Sequence, residues 1–138
     1  MKFLESQLEI RQSTIAGAGQ GLFTTVPIAK GSTILEYTGT VTTLAEADDD
    51  NGANPYLFYV TRRHVIDASK HKQVLGRYVN DARGPGRIKG FRNNSRFVQE
   101  DGKIYLEALR VIPAGTEILA HYGKSYWDIV RHNQQTSN

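Results

Sequence analysis

The 138-residue chain contains no cysteine, one methionine, one tryptophan and four prolines. The absence of cysteine excludes disulfide bonds, thiolate zinc sites and a cysteine nucleophile. The chain also lacks any run of about 18 apolar residues, so we expect no membrane-spanning helix. Its N-terminal segment MKFLESQLEIRQS carries scattered charges and no apolar stretch of signal-peptide length. We therefore expect a soluble, intracellular protein that has no membrane partner.

Neither sign of charge is in large excess, because the formal net charge is only +3, but the charges are distributed unevenly. Solvated loops account for this distribution, and binding surfaces are the alternative. Asp48, Asp49 and Asp50 form an acidic run that could receive a basic peptide. Residues 83–96, the basic loop, could bind nucleic acid with Phe91 stacked on a base. This loop has no Asp or Glu and carries Arg83, Arg87, Lys89, Arg92 and Arg96.

The hydrophobic pattern is typical of short strands. Runs of apolar, β-branched and aromatic residues predict strands at 8–11, 33–37, 56–60 and 65–66. The clearest hairpin spans residues 97–109, because Asp101-Gly102 at its centre suits the positive φ angles of a tight turn.

Helices are expected to be few and short. Capping-box spacing occurs at residues 43–46 and 125–128. The second begins a predicted C-terminal helix, which together with a polar tail occupies residues 125–138. Because helices do not alternate with strands, a doubly wound nucleotide-binding fold is not expected. The sequence predicts one mostly-β domain over residues 1–138.

Two segments of the chain resemble each other, residues 26–35 and 111–119. Each runs from a proline-to-glycine turn into an apolar strand. Turn chemistry alone can produce this arrangement twice, so an internal repeat is only one of two explanations.

Three glycines alternate near the N-terminus, in the stretch Gly17-Ala18-Gly19-Gln20-Gly21. Their spacing does not match the dinucleotide motif G-x-G-x-x-G, and no long helix follows. Alternating glycines let a backbone approach a ligand and present its amide and carbonyl groups. A ligand-binding turn and a merely tight turn are both consistent with this stretch.

Several segments, in order, resemble the SET domain of protein-lysine methyltransferases. Residues 17–39, GAGQGLFTTVPIAKGSTILEYTG, are similar to its opening, and residues 65–68, VIDA, to its short V-D-A strand. Residues 77–80, RYVN, are similar to the motif R-[FY]-[IV]-N, and Asn94-Ser95 to the Asn-Cys pair that follows. Residues 112–123, IPAGTEILAHYG, resemble the final motif G-x-E-[IL]-x-x-x-Y-G. The resemblance covers residues 8–127 approximately, with some features of the PR branch.

This resemblance implies a fold and a reaction. The fold is the SET-domain fold of several small β-sheets, with a knot-like C-terminal crossing and a short C-terminal helix. The reaction is methyl transfer from S-adenosyl-L-methionine to a lysine, without a metal. Such an enzyme must hold the lysine nitrogen roughly 3 Å from the methyl carbon. It must also bind the amine in its neutral form, which at pH 7 costs on the order of 4–5 kcal/mol for a lysine of normal pKa.

The resemblance also implies site residues. Tyr122 is the first candidate for the catalytic tyrosine at the methyl-transfer pore, and Tyr37 is the second. Both tyrosines and Ala120 would line the substrate channel, in which an aromatic wall lowers the lysine pKa by desolvation. The implied cofactor-binding residues are Ala18, Gly19, Gln20, Tyr56, Asn80, Asp81 and Trp127. For Tyr37, Tyr56 and Trp127, packing in the core or against the C-terminal helix is the alternative.

The sequence departs from the family pattern at three places. Asp81 stands where most active members have His, so donor binding must differ in detail. Ala120 stands where several members carry Phe or Tyr, which predicts room for methylation beyond the monomethyl product. No cysteine-rich segment follows the domain, so the C-terminal helix or a partner must close the channel.

The substrate class is the least defined feature of the sequence. Histone tails are the usual target in the family, and a nuclear location in its own or a host cell follows if the substrate is a histone. A homodimer could complete the open face of the domain. The competing hypothesis is a catalytically weak interaction module of PR type, with nucleic-acid binding by the basic loop as an additional activity.

Overall fold

The computed structural model describes residues 4–47, 56–61, 63–82 and 92–121. Strands dominate these ranges, which confirms the predicted mostly-β fold. The strands are β1 Leu8–Gln12, β2 Gln20–Thr24, β3 Thr33–Tyr37, β4 Thr40–Thr42, β5 Leu57–Thr61, β6 His64–Asp67, β7 Ser95–Glu100, β8 Lys103–Ala108 and β9 Ala120–His121. Two short 3₁₀ helices, Glu5–Gln7 and Leu75–Tyr78, accompany them.

The strands form three small sheets. β1 pairs with β2, and the three-stranded sheet has the order β4-β6-β5. The largest sheet has the order β3-β8-β7-β9, and its pairs are antiparallel except for β7 with β9, which is parallel. This parallel pair brings the segment with the final motif beside a strand that begins about 25 residues earlier, as only a non-local connection can do.

The β7–β8 hairpin has the predicted turn. Glu100 is opposite Lys103, and the two residues between them have positive φ angles, 52° for Asp101 and 76° for Gly102. Such angles match the twist of a two-residue hairpin loop. On β8, Ile104, Leu106 and Ala108 are buried and alternate with residues of greater exposure, so one face of the hairpin packs on the core.

The main core joins residues that are distant in the sequence. Leu22, Ile34, Leu106 and Ile118 are fully buried and belong to one cluster, although they come from positions throughout the chain. A second cluster contains an aromatic group formed by Tyr37, Phe58 and Phe97. Ring centroids in this group lie 5.1 to 5.9 Å apart, the separation at which edge-to-face contacts are favourable.

The two similar segments of the sequence lie beside each other. Ile28 and Ile112 form an antiparallel bridge, in which each backbone N–H donates to the carbonyl oxygen of the other at 2.8 and 2.9 Å. Gly31 and Gly115 end the two turns with φ angles of 84° and 81°. The sequence similarity therefore corresponds to a local structural pair around this bridge.

Residues 43–46, which have capping-box spacing, form a turn at the end of a described range. The cap contacts form, since the Glu46 N–H donates to Thr43 Oγ1 at 3.2 Å and the Ala47 N–H to the Thr43 carbonyl at 2.8 Å. Residues 48–55 lie outside the described residues, so a helix beginning here stays a prediction. In the described part of the chain, no helix is long and apolar enough to span a membrane.

The predicted C-terminal helix, residues 125–138 with their tail, lies outside the described residues, as does the chain that would complete a knot-like crossing. The knot-like crossing stays a prediction, and the two segments expected to meet there are in contact. Asn80 forms a parallel bridge with Leu119, and the Ala120 N–H donates to the Asn80 carbonyl at 3.0 Å. The R-x-x-N segment and the final motif are therefore adjacent.

Candidate functional site

The glycine-rich stretch forms a turn between β1 and β2. The Ser13 N–H donates to the Gly19 carbonyl at 2.8 Å, and the Ala18 N–H donates to the Ile15 carbonyl at 3.2 Å. Gly17 and Gly19 have φ angles of 79° and 74°, which other residues rarely adopt, so these two glycines are required by the turn. Both glycines are exposed, and their backbone can therefore be approached by a ligand.

Asn80 joins this turn to the final motif. It follows the 3₁₀ helix Leu75–Tyr78, and its side-chain amide points toward the turn. Asn80 Nδ2 donates to the Gln20 carbonyl at 3.0 Å and to Glu117 Oε2 at 3.2 Å. Three separate motifs of the sequence thus meet at one side chain.

Glu117 is the residue at this junction that the sequence analysis did not identify. Its side chain is 4% exposed, yet both oxygens are well supplied with donors. Ser13 Oγ donates to Oε2 at 2.8 Å, and the Thr14 N–H and hydroxyl both donate to Oε1, the N–H at 2.9 Å. The signal for it was present, because Glu117 is the glutamate of the G-x-E motif.

The fit between the turn and Glu117 leaves no space for a side chain at Gly21. A Cβ added there would overlap Glu117 Oε2, and it would also lie 3.3 Å from the Ser13 Cα. Gly21 has ordinary φ, so its requirement is steric and differs from that of Gly17 and Gly19. The alternation of glycines therefore combines two positions for backbone shape with one for close packing.

Ala18 packs beside the same junction. Its methyl group packs against a small cluster formed by Ile15, Ala82 and Leu119. This contact places Ala18, Gly19 and Gln20, which are predicted to bind the methyl donor, beside the segment that follows Asn80.

Asp81 is buried, and its carboxylate is bound within the protein. Its side chain is 1% exposed, and Oδ2 accepts from His121 Nδ1 at 2.7 Å while Oδ1 accepts from Asn93 Nδ2 at 2.9 Å. Asn93 also accepts the Ala82 N–H at 2.9 Å. The Asp81 carboxylate is therefore enclosed by protein groups, and the predicted cofactor role of Asp81 stays a prediction.

Tyr37 and Tyr56 are linked to each other in the second cluster. Tyr37 is 1% exposed, and its hydroxyl donates to the Tyr56 carbonyl at 2.7 Å. The Tyr56 ring lies under the Arg77 guanidinium, with the Arg77 Cζ 3.9 Å from the ring centroid. Arg77 in turn donates to the Ala68 carbonyl at 3.0 Å. The structure thus brings the two predicted tyrosines together, beside the 3₁₀ helix that precedes Asn80.

Ala120 is fully buried in the main core and pairs with Ser95 across β7 and β9. Tyr122 and Trp127 lie outside the described residues, so their predicted roles stay predictions. His121 is the last described residue before Tyr122, and its bond to Asp81 fixes the chain at that point.

The basic loop is described only at its C-terminal end. Arg96 forms an ion pair with Glu107 across β7 and β8 at 3.0 Å, on the surface of the sheet. Arg92 is exposed and lines an open cleft of about 330 Å³ together with Thr14, Asn94 and Glu117. Arg83, Arg87 and Lys89 lie outside the described residues.

Within the described ranges, His, Asp and Glu side chains form no group of three or more that could hold a metal ion.

These motifs and their spatial arrangement match a known family. The SET-domain profile matches residues 19–123, about three quarters of the chain. The chain belongs to the SET-domain family. The methyltransferase domain of human PR domain-containing protein 2 has a similar structure, with a TM-score of 0.63 and 23% identity, covering 83% of this chain and 76% of that domain. That similarity shows the fold.

Curated relatives of the SET domain carry names that state an activity. The N-lysine methyltransferase KMT5A-A of Danio rerio is 29% identical over an alignment of 119 positions, and the match covers 79% of this chain and 33% of that protein. The histone-lysine N-methyltransferase set-1 of Caenorhabditis elegans is 28% identical over an alignment of 141 positions, which covers 94% of this chain and 55% of that protein. The chain therefore spans between a third and just over half of these relatives.

Proposed function

We propose that this SET domain is a protein-lysine N-methyltransferase that uses S-adenosyl-L-methionine. The observation that carries the proposal is the junction at Asn80, where the glycine turn, the R-x-x-N segment and the final motif meet through hydrogen bonds. The names of the relatives agree with this activity. Bound S-adenosyl-L-methionine supplies a methyl group on a positively charged sulfur, which needs neither a metal nor a covalent enzyme intermediate.

The residues at this junction that are predicted to bind the methyl donor fit its amino acid end. Both amide hydrogens of Asn80 are bonded, one to Gln20 and one to Glu117, so its Oδ1 is the atom left to face a ligand. An amide oxygen accepts hydrogen bonds, and an ammonium group donates them. Asn80 would therefore bind the ammonium, while the backbone of exposed Gly19 and Gln20 and of half-buried Ala18 contacts the remainder of the methyl donor.

Tyr37 is proposed as the second tyrosine of the substrate channel. Its hydroxyl donates to the Tyr56 carbonyl and the residue is 1% exposed, so a lysine would reach it only after Tyr37 or its neighbours move. The rings of Phe58 and Phe97 pack beside it, and aromatic surroundings favour the neutral amine. We assign the pore position to Tyr122 on its place in the final motif.

The substrate is proposed to be a lysine in a basic protein segment, with histones as the first class to test because one relative is named a histone-lysine methyltransferase. A nuclear site of action follows from that substrate. The acidic run Asp48–Asp50, which lies outside the described residues, is the proposed contact for the basic segment. Nucleic-acid binding by the basic loop and a homodimer stay predictions.

Radiolabelled donor, core histones and a whole-cell lysate provide the first test. We expect the protein to label one protein band and the Tyr122→Phe variant to lose at least about 90% of that activity, the tenfold change that a loss of roughly 1.4 kcal/mol in transition-state stabilisation produces. Tyr105→Phe is the matched control, because Tyr105 lies on the hairpin strand β8, opposite Glu36 and Val98, and is not among the predicted site residues. Mass spectrometry of the product tests the prediction from Ala120 that methylation proceeds beyond the monomethyl state.

The same assay separates the enzyme from an interaction module. If calorimetry detects no binding of S-adenosyl-L-methionine to the folded protein, the enzyme proposal fails and the PR-type interaction module is favoured. Binding without labelling of any protein would instead direct the search to other substrates.

A further inference from the structure

Glu117 is an unusual feature of the junction, because a nearly buried carboxylate is surrounded by neutral donors. Two donors reach Oε1, from the N–H and the hydroxyl of Thr14, and two reach Oε2, from Ser13 and Asn80. In the ranges that the structure describes, Glu117 forms no ion pair. Four donors on two oxygens identify the group as the acceptor-only, negatively charged form.

This arrangement determines which atom of Asn80 faces outward. The Gln20 carbonyl and the Glu117 carboxylate are both pure acceptors, so only the NH₂ end of the Asn80 amide can face them. A rotated amide would place Asn80 Oδ1 against two acceptors and leave a nearly buried carboxylate oxygen with one donor fewer. In the described ranges Oδ1 itself accepts no hydrogen bond, and Asn80 is only half-buried.

We infer that Glu117 is a positioning residue that makes the Asn80 subsite selective for the positively charged ammonium of the methyl donor. It does so by locking the amide with its oxygen outward and by placing a negative charge directly behind it. The inference rests on the proposed function and adds a specificity element to it. The ligand chemistry it requires is an α-amino acid end that carries its ammonium group.

Two ligands that differ only in the ammonium provide the test. S-adenosylhomocysteine carries the α-ammonium, and 5′-S-(3-carboxypropyl)-5′-thioadenosine is the same molecule without it. In Glu117→Gln, the amide nitrogen of Gln must face one pair of donors, and because the Thr14 N–H cannot rotate, it faces Ser13 and Asn80. The Asn80 amide is then released, and we expect affinity for S-adenosylhomocysteine to fall about tenfold or more, with less than about a twofold change for the analogue.

Thr14→Val is the matched control for damage to the network. It removes one hydroxyl donor from the same carboxylate but keeps its charge and the bond to Asn80. We expect it to leave the ratio of the two affinities unchanged. Thermal-shift titration with millimolar ligand measures both constants, including that of the weaker analogue.

The outcomes are distinct. If Glu117→Gln weakens both ligands equally, Glu117 is only structural and the inference is overturned, while the proposed function stands. If the unaltered protein binds both ligands equally well, the ammonium is not recognised and the inference is also overturned. If neither ligand binds the folded, unaltered protein, the proposed function itself fails.

A second measurement needs no variant that must fold with an altered Glu117. In the unaltered protein, the side-chain NH₂ signals of Asn80 can be followed by nuclear magnetic resonance and assigned by their loss in Asn80→Ala. We expect both hydrogens to be protected from exchange with and without S-adenosylhomocysteine, because their acceptors belong to the protein. Loss of protection when the ligand binds would show a rotated amide and would overturn the inference.

Discussion

At the scale of single residues, two nearly buried carboxylates hold the candidate site together, and both are surrounded by hydrogen-bond donors. Glu117 connects the glycine turn to Asn80, and Asp81 connects the next residue of the chain to His121. Asp81 stands where the family usually has a histidine, and the structure provides an imidazole across the contact instead. The hydrogen bond between Asp81 and His121 therefore connects the segment that contains Asn80 to the residue before Tyr122.

We expect Asp81→Asn to lower the free energy of unfolding by about 1–3 kcal/mol. Asn has nearly the same shape, but its NH₂ group must face either His121 or Asn93, both of which donate to the carboxylate. Urea denaturation measures the change, and Glu100→Gln is the control because Glu100 is exposed on β7. A loss no larger than that of the control would show that the Asp81 bonds contribute little.

At the scale of elements, local chemistry explains which predictions succeeded. The strand at 33–37 and the β7–β8 hairpin formed as predicted because their residues favour extended backbone and because Asp-Gly suits the turn. The strand predicted at 56–60 is present one residue later, as Leu57–Thr61. The capping-box spacing at residues 43–46 corresponds to a turn with the expected cap contacts.

The hairpin turn gives a test at this scale. Gly102 has φ 76°, and a Cβ there would only reach ordinary contact, 4.0 Å from His64 Cε1, so a substitution mainly costs backbone strain. We expect Gly102→Val to lower the free energy of unfolding by about 1–2 kcal/mol. Asn tolerates this conformation, so Gly102→Asn should cost less than half as much. Equal losses in the two variants, measured by urea denaturation, would contradict the assignment to strain.

At the scale of the whole molecule, the core depends on contacts between distant parts of the chain. Leu106 on β8 is 0% exposed and packs in one cluster with residues such as Leu22 and Ile118. The bridge between Ile28 and Ile112 joins the two similar segments in the same way. In the described ranges, each of the two larger sheets includes a pairing between strands that are distant in the sequence.

We expect Leu106→Ala to destabilise the protein by about 2–5 kcal/mol, since it removes buried methyl groups and leaves a cavity. Leu109→Ala is a matched control, because Leu109 follows the same strand and is 37% exposed. Its loss should be below about 1 kcal/mol. Thermal unfolding of the two variants measures the difference, and similar melting temperatures would show that Leu106 is not part of a close-packed core.

The sequence by itself determined the fold class, the hairpin and the order of the SET motifs, because these depend on local patterns and on residue types at fixed spacing. It also identified Asn80, Ala18, Gly19 and Gln20 as candidates for the donor site. Only the tertiary structure decided what these residues contact. The bond of Asn80 to Glu117 joins positions 37 residues apart, and that of Asp81 to His121 joins positions 40 apart. Hydrogen bonds across such distances are set by how the sheets pack, which local sequence patterns do not encode.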